Sequence, residues 1–253
     1  VRVTLLGTGT SQGVPVIGCG CEVCRSLDYR DKRLRSSVHV EVNGVSFVID
    51  TGPDFRQQML REGIQHLNAV IFTHSHKDHT AGLDDVRAYN FKQNMDMPVY
   101  GMQQVLDQLK VEFAYAFSEK KYPGIPQLKL YNLTEAEFEI HGIKITPLPV
   151  THLKLPVLGF RIGSFAYITD ANEISEKTYQ KLKGVEVLVL NALQHEKHIS
   201  HFNLDEAIQV AQKVGAGKTY FTHISHKLGL HKVVEKELPP TIFLGFDGLV
   251  YSF

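Results

Sequence analysis

Six short apolar runs in this chain each end abruptly in polar residues, and that pattern limits the available folds more than any other feature. Residues 46–49 run into Asp50-Thr51-Gly52, and 69–72 run into Thr73-His74-Ser75-His76. Residues 145–150 lead to Thr151-His152, 165–168 to Thr169-Asp170, 187–190 to Asn191-Ala192, and 219–222 to His223. Each run is too short for a helix and fits a strand buried on at least one face. Between them lie segments with helical spacing at 55–62, 102–113, 175–182 and 204–214. Gly63 closes the first, and the last carries Asn203 as N-cap with Glu206 three residues on. Helices threaded between buried strands predict an α/β fold, with sheets inside, helices outside and polar residues gathered at strand ends.

Composition sets further bounds. The chain has 253 residues, 43% of them hydrophobic, enough for the core of one large α/β domain, and it is read as a single domain over 1–253. No tandem repeat or linker is visible, but two loop-rich stretches stand out at 7–35 and 118–127. Lys+Arg and Asp+Glu both number 27, so a nucleic-acid partner held mainly by field is not favoured. No apolar run approaches the roughly 20 residues needed to span a bilayer. Nothing resembles a signal peptide, so a cytoplasmic protein with no membrane partner is expected. The three cysteines, Cys19, Cys21 and Cys24, lie within six residues of one another. A disulfide framework would spread an even number along the chain, so a thiolate metal site explains the cluster better.

The densest chemistry lies in Thr73-His74-Ser75-His76-Lys77-Asp78-His79. Three imidazoles and a carboxylate directly after a strand suit zinc and harder ions such as manganese. A polar loop with surface histidines is the weaker explanation for so compact a set. The pattern His-x-His-x-Asp-His after an apolar strand resembles the signature of the metallo-β-lactamase superfamily. Later residues fall in that family's order: His152, then Asp170, then His223. The resemblance spans residues 5–246 and implies an αββα sandwich, two mixed β-sheets flanked by helices.

Carried over by position, His74, His76 and His152 would hold a first divalent ion, and Asp78, His79 and His223 a second. Asp170 would bridge them. Two divalent cations, Zn²⁺ or Mn²⁺, less two carboxylates and a bridging hydroxide, leave one positive charge in the cleft, which attracts phosphate. Such ions also bring the pKa of water towards ~7. The resemblance therefore implies phosphodiester cleavage by a metal-bridging hydroxide. Asp78 would share the proton work, and His201 before the 204–214 helix would be the general acid, with His198 as its rival.

The cysteine cluster narrows the resemblance. Leu6-Gly7-Thr8-Gly9-Thr10-Ser11-Gln12-Gly13 followed by cysteines, with Thr222-His223-Ile224-Ser225-His226 near the end, is similar to the PhnP-like branch, the phosphoribosyl cyclic phosphate phosphodiesterases. His226 would complete a structural zinc site with Cys19, Cys21 and Cys24. A small or cyclic phosphate ester is the expected substrate, and a homodimer is expected by analogy. Two alternatives stay open: a tRNA 3′-processing endoribonuclease, and a PqqB-like metal-binding protein with little hydrolysis. Asp50, Asp54 and Asp84 are candidates for orienting the histidines. Arg33, Arg35, Ser36 and Ser37 could bind phosphate but are read as a solvated loop entering a strand, and His39, His66, His141, His195 and His231 as structural or surface residues.

Overall fold

The computed structural model describes residues 1–118 and 123–252; residues 119–122 of the expected 118–127 loop lie outside the described residues. Fifteen strands are described. The first sheet contains β1 (Arg2–Gly7), β2 (Ser37–Val42), β3 (Val45–Ile49), β4 (Ala69–Ile71), β5 (Met97–Met102) and β6 (Leu128–Leu133). The second contains β7 (Phe138–Ile140), β8 (Ile143–His152), β9 (Leu155–Ile162), β10 (Phe165–Ile168), β11 (Glu173–Ile174), β12 (Val187–Asn191), β13 (Lys218–Thr222) and β14 (Ile242–Leu244). β15 (Val250–Ser252) returns to the first sheet beside β1, giving the order β15-β1-β2-β3-β4-β5-β6. The second sheet runs β11-β8-β9-β10-β12-β13-β14, with β7 paired to β8.

Both sheets follow one plan that no repeat in the sequence announces. In the first, three antiparallel pairings lead to β3, and three parallel ones follow through β4 and β5 to β6. In the second, three antiparallel pairings lead to β10, and three parallel ones follow to β14.

Alternation along the strands explains the layering. Phe47, Ile49, Ala69 and Ile71 face Tyr167, Val187 and Val189 in a core between the sheets. Their neighbours Val48 and Val70 face the helices over the first sheet. Ala166, Ile168, Leu188 and Leu190 do the same on the second. This is the αββα sandwich the resemblance implies. Among the described residues, no helix is long and apolar enough to cross a membrane.

Helix boundaries differ from expectation by a residue or two, for local reasons. The 102–113 helix is Gln103–Glu112, because Met102 pairs with Leu133 in the sheet. Leu204–Val214 has the predicted capping box: Asn203 Oδ1 accepts from the Glu206 N–H, and Glu206 accepts from the Asn203 N–H. Gly215 closes it in the left-handed region, φ 68°.

His39, on β2, is structural, as expected. Its Nε2–H donates to Ser46 Oγ at 2.8 Å, and Ser46 donates to the His66 carbonyl. Burial, helped by the charge of Arg2, pushes its pKa down to about 4. The unfolded chain titrates near 6.5. The fold therefore keeps this contribution above pH 6.5 and loses it as pH falls through 4. We expect His39→Gln to lessen the acid destabilisation between pH 7 and 4 by up to about 3 kcal/mol, read from urea unfolding at both pH values. Equal acid sensitivity in wild type and variant would refute this assignment.

Candidate metal centre

The sandwich brings strand ends from both sheets to one edge. β4 delivers His74, and the short helix Lys77–Thr80 that follows carries Asp78 and His79. β8 ends on His152, Asp170 lies two residues past β10, and His223 directly follows β13. Asp50, Asp170 and His223 all occupy the left-handed region, with φ of 67°, 54° and 56°. Asp and His tolerate that region better than most residues, and such strain gathers at functional sites.

Asp170 is the meeting point. Its Oδ2 lies 3.2 Å from His79 Nε2 and 3.3 Å from His223 Nδ1. Its Oδ1 lies 3.1 Å from His201 Nε2 and 4.0 Å from His74 Nε2. Asp78, His79, Asp170 and His223 form one group of converging donor atoms, and His152, Asp170 and His201 form another. His74 and His76 flank the second group, with their ring centroids 5.9 and 5.2 Å from that of His152. His76 is exposed, and the other histidines predicted for the two-metal centre, His74, His79, His152 and His223, are buried.

Hydrogen bonds fix which nitrogens face the centre. Asp50 accepts from the Thr73 N–H at 2.9 Å and from Thr73 Oγ1 at 2.8 Å. The Thr73 hydroxyl in turn accepts from His74 Nδ1 at 2.9 Å, which leaves His74 Nε2 as a lone pair. His79 Nδ1 donates to Asp50 at 2.7 Å, and His152 Nδ1 donates to the Ser200 carbonyl at 2.7 Å. The Nε2 atoms of His74 and His79 are buried without a hydrogen-bond partner. A buried lone pair on His79 facing two carboxylates is repulsive unless a cation stands between them. These donors therefore fit divalent metal ions.

The metal-free charges agree. Burial lowers His74 well below the usual histidine range, and the charge of His79 adds to this. Burial opposes a proton on His79, but Asp170, Asp78 and Asp50 outweigh it and raise that group well above its usual range. Burial likewise opposes ionised Asp170, but His223 and His79 hold it well below the carboxylate range. Without metal, a proton on His79 supplies the positive charge the carboxylates require.

The second predicted cluster also converges. His226 Nδ1 lies 3.3 Å from the sulfurs of Cys19 and Cys21 and 3.5 Å from that of Cys24. The Cys24 N–H, with His226 beside it, lowers the Cys21 thiol to about 6, while burial pushes Cys24 up to about 11. Three thiol sulfurs and an imidazole nitrogen around one point fit tetrahedral zinc. We expect Cys21→Ser to lower zinc by about one ion per chain and stability by on the order of 3 kcal/mol. Elemental analysis and thermal melts test this, and unchanged zinc content would rule out the site.

A family model described as a β-lactamase superfamily domain matches residues 46–224, the span holding the histidine motif, His152, Asp170 and His223. The chain belongs to the metallo-β-lactamase superfamily. A crystal structure described as a new diphosphatase from the PhnP family is 42% identical with a TM-score of 0.94, covering 100% of this chain and 96% of that one. Zn²⁺-bound PqqB from Methylobacterium extorquens shares the fold, with a TM-score of 0.81 at 18% identity and full coverage of both chains. A Porphyromonas gingivalis protein named octanoyltransferase is 40% identical over 98% of this chain, but over only 51% of its own length. The chain thus spans about half the length of that curated relative.

The structure sets some of the expected residues apart from the centre. Asp50 orients His79, but Asp54 pairs with Arg35, and Asp84 binds Tyr115 and Arg87. Residues 33–37 are not a solvated loop. Arg33 is 4% exposed, with its guanidinium on Thr8 and His231. Ser36 lies 3.3 Å from His223 Nδ1, and Thr10 Oγ1 lies 3.2 Å from its Nε2. Neither hydroxyl is among the sequence candidates. His198 and His201, the two candidates for the general acid, are neighbours, with their Nδ1 atoms 3.1 Å apart.

Proposed function

We propose that this chain is a two-metal hydrolase that cleaves a P–O bond in a phosphodiester or in a disubstituted diphosphate. The two substrates share one chemistry: a singly charged phosphorus with a departing oxygen on one side. The supporting observation is the convergence of donors from both sheets on Asp170, with buried imidazole lone pairs left unpaired. His74, His76 and His152 would hold one ion, and Asp78, His79 and His223 the other, with Asp170 shared. Divalent ions held there, Zn²⁺ or Mn²⁺, would neutralise phosphoryl charge and ease deprotonation of water.

The chain's own residues supply the rest. Asp50 holds the His79 ring, and the Ser200 carbonyl holds that of His152, so that donor directions are set before substrate arrives. His201 Nε2, beside Asp170, is placed to give a proton to the departing oxygen, and its Nδ1 faces His198 Nδ1, which accepts from the Ser200 N–H. As water's oxygen bonds to phosphorus, the bond to the departing oxygen breaks. The diphosphatase relative supports the phosphorus centre.

Protein loaded with Zn²⁺ or Mn²⁺ should hydrolyse bis(4-nitrophenyl) phosphate. His76→Ala should cost on the order of 100-fold or more. Chelator should abolish turnover, and added metal should restore it. A chelated protein as fast as the loaded one would end this reading.

A further inference from the structure

Leu153 and Ile199 sit where the fold gains nothing from them. Leu153 is 52% exposed and Ile199 74% exposed. Leu153 also holds φ 57°, a left-handed backbone that a bulky aliphatic residue adopts at a cost. A polar or small residue would suit the left-handed backbone at Leu153 better, which calls for an explanation in its surroundings.

Their placement supplies one. Leu153 directly follows His152, and Ile199 lies two residues before His201. Asn172 ties the two loops together: the Leu153 N–H donates to its Oδ1 at 2.7 Å, and its Nδ2 donates to the Ile199 carbonyl at 3.5 Å. The Asn172 N–H donates to the Thr151 carbonyl, and His152 bonds the Ser200 carbonyl, so both loops are fixed to the site's edge. Exposed Lys154 and Lys197 stand beside them. An apolar pair in two loops that each carry an exposed lysine, the second also Glu196, at the rim of a centre proposed to hold cations, matches a ligand with a phosphate at one end and an apolar group at the other.

We propose that Leu153 and Ile199 form an apolar clamp for the departing group, so that the preferred substrate is a phosphodiester or disubstituted diphosphate in which one alcohol carries an aliphatic chain; monoalkyl phosphates serve as non-reacting probes of the clamp. This rests on the hydrolase reading, since the clamp borders His201, the residue placed to protonate the departing oxygen.

The test is calorimetric binding of methyl, butyl and octyl phosphate to the zinc-loaded full chain. Affinity should rise about twofold per methylene over the first carbons, so butyl should bind roughly eightfold tighter than methyl. The heat-capacity change should become more negative in step. Leu153→Asn, which suits a left-handed backbone, and Ile199→Thr, which keeps the β-branch, should each flatten this slope. Together they should bring butyl and methyl within about twofold of each other. Equal binding of the three phosphates by wild type would overturn the clamp, as would a full slope in the double variant. A fall in oligomeric mass in the double variant with the slope intact would assign the pair to self-association instead, which also overturns it. Turnover of bis(4-nitrophenyl) phosphate is read on the same preparation. Its loss counts against the hydrolase reading alone, because the octyl-to-methyl binding ratio needs no catalysis.

Discussion

Asp170→Asn should fold normally yet lose at least about a thousandfold in phosphodiester hydrolysis. Asparagine has nearly the same shape and tolerates the left-handed backbone at this position as well as aspartate does. The change therefore isolates charge. Asp170 is 2% exposed, with imidazole nitrogens of His79, His201 and His223 within 3.3 Å. Replacing one oxygen by an amide removes the negative charge shared by both donor groups and sets N–H donors against the nitrogens that must present lone pairs. Metal content should fall from two ions at this centre to one or fewer, while circular dichroism stays unchanged. Wild-type turnover in this variant would refute the two-metal assignment.

Gly82→Ala should destabilise the protein by about 3 kcal/mol and weaken metal binding at the centre about 10- to 100-fold. Backbone preference is not the cause, since Gly82 has an ordinary φ of −92°. Contact is: an added Cβ would stand 2.1 Å from the Gly52 carbonyl oxygen and 2.8 Å from Phe55 Cβ. Gly52 is in the reciprocal position, where a Cβ would meet the Asp78 carbonyl at 2.2 Å. Here two backbone segments lie directly against each other. The Gly82 N–H donates to the Thr51 carbonyl, and the Thr51 N–H to that of His79, each at 2.8 Å. One methyl group forces 50–55 away from 78–82, and Asp50 loses its hold on His79. Urea unfolding and zinc competition measure the two effects, and a variant within 1 kcal/mol of wild type would contradict the contact geometry.

The sequence was readable where chemistry is concentrated and local. His74, His76, Asp78 and His79 share one loop, so their joint purpose shows in seven consecutive residues. The three cysteines do the same, and His226 follows from its distance to His223. Single hydroxyls carry no such signal. Thr10 and Ser36 reach His223 from 213 and 187 residues away, and threonine and serine are ordinary at strand ends. Asp50, Asp54 and Asp84 looked alike because each follows or joins an apolar run. Only the pairing of β3 with β4 places Asp50 against the Thr73 N–H and leaves the others outside. The common plan of the two sheets was hidden for a related reason: strand direction is set by partners far along the chain, and apolar alternation reads the same either way.

Hanging the donors from two sheets makes the centre a gauge of assembly. His74, Asp78 and His79 arrive with the first half of the chain, and His152, Asp170 and His223 with the second. A molecule whose halves are folded but wrongly docked would own every donor and grip no ion. Under the two-metal proposal, tight metal uptake would report the seam between the sheets, and each ion captured would act as a rivet through it.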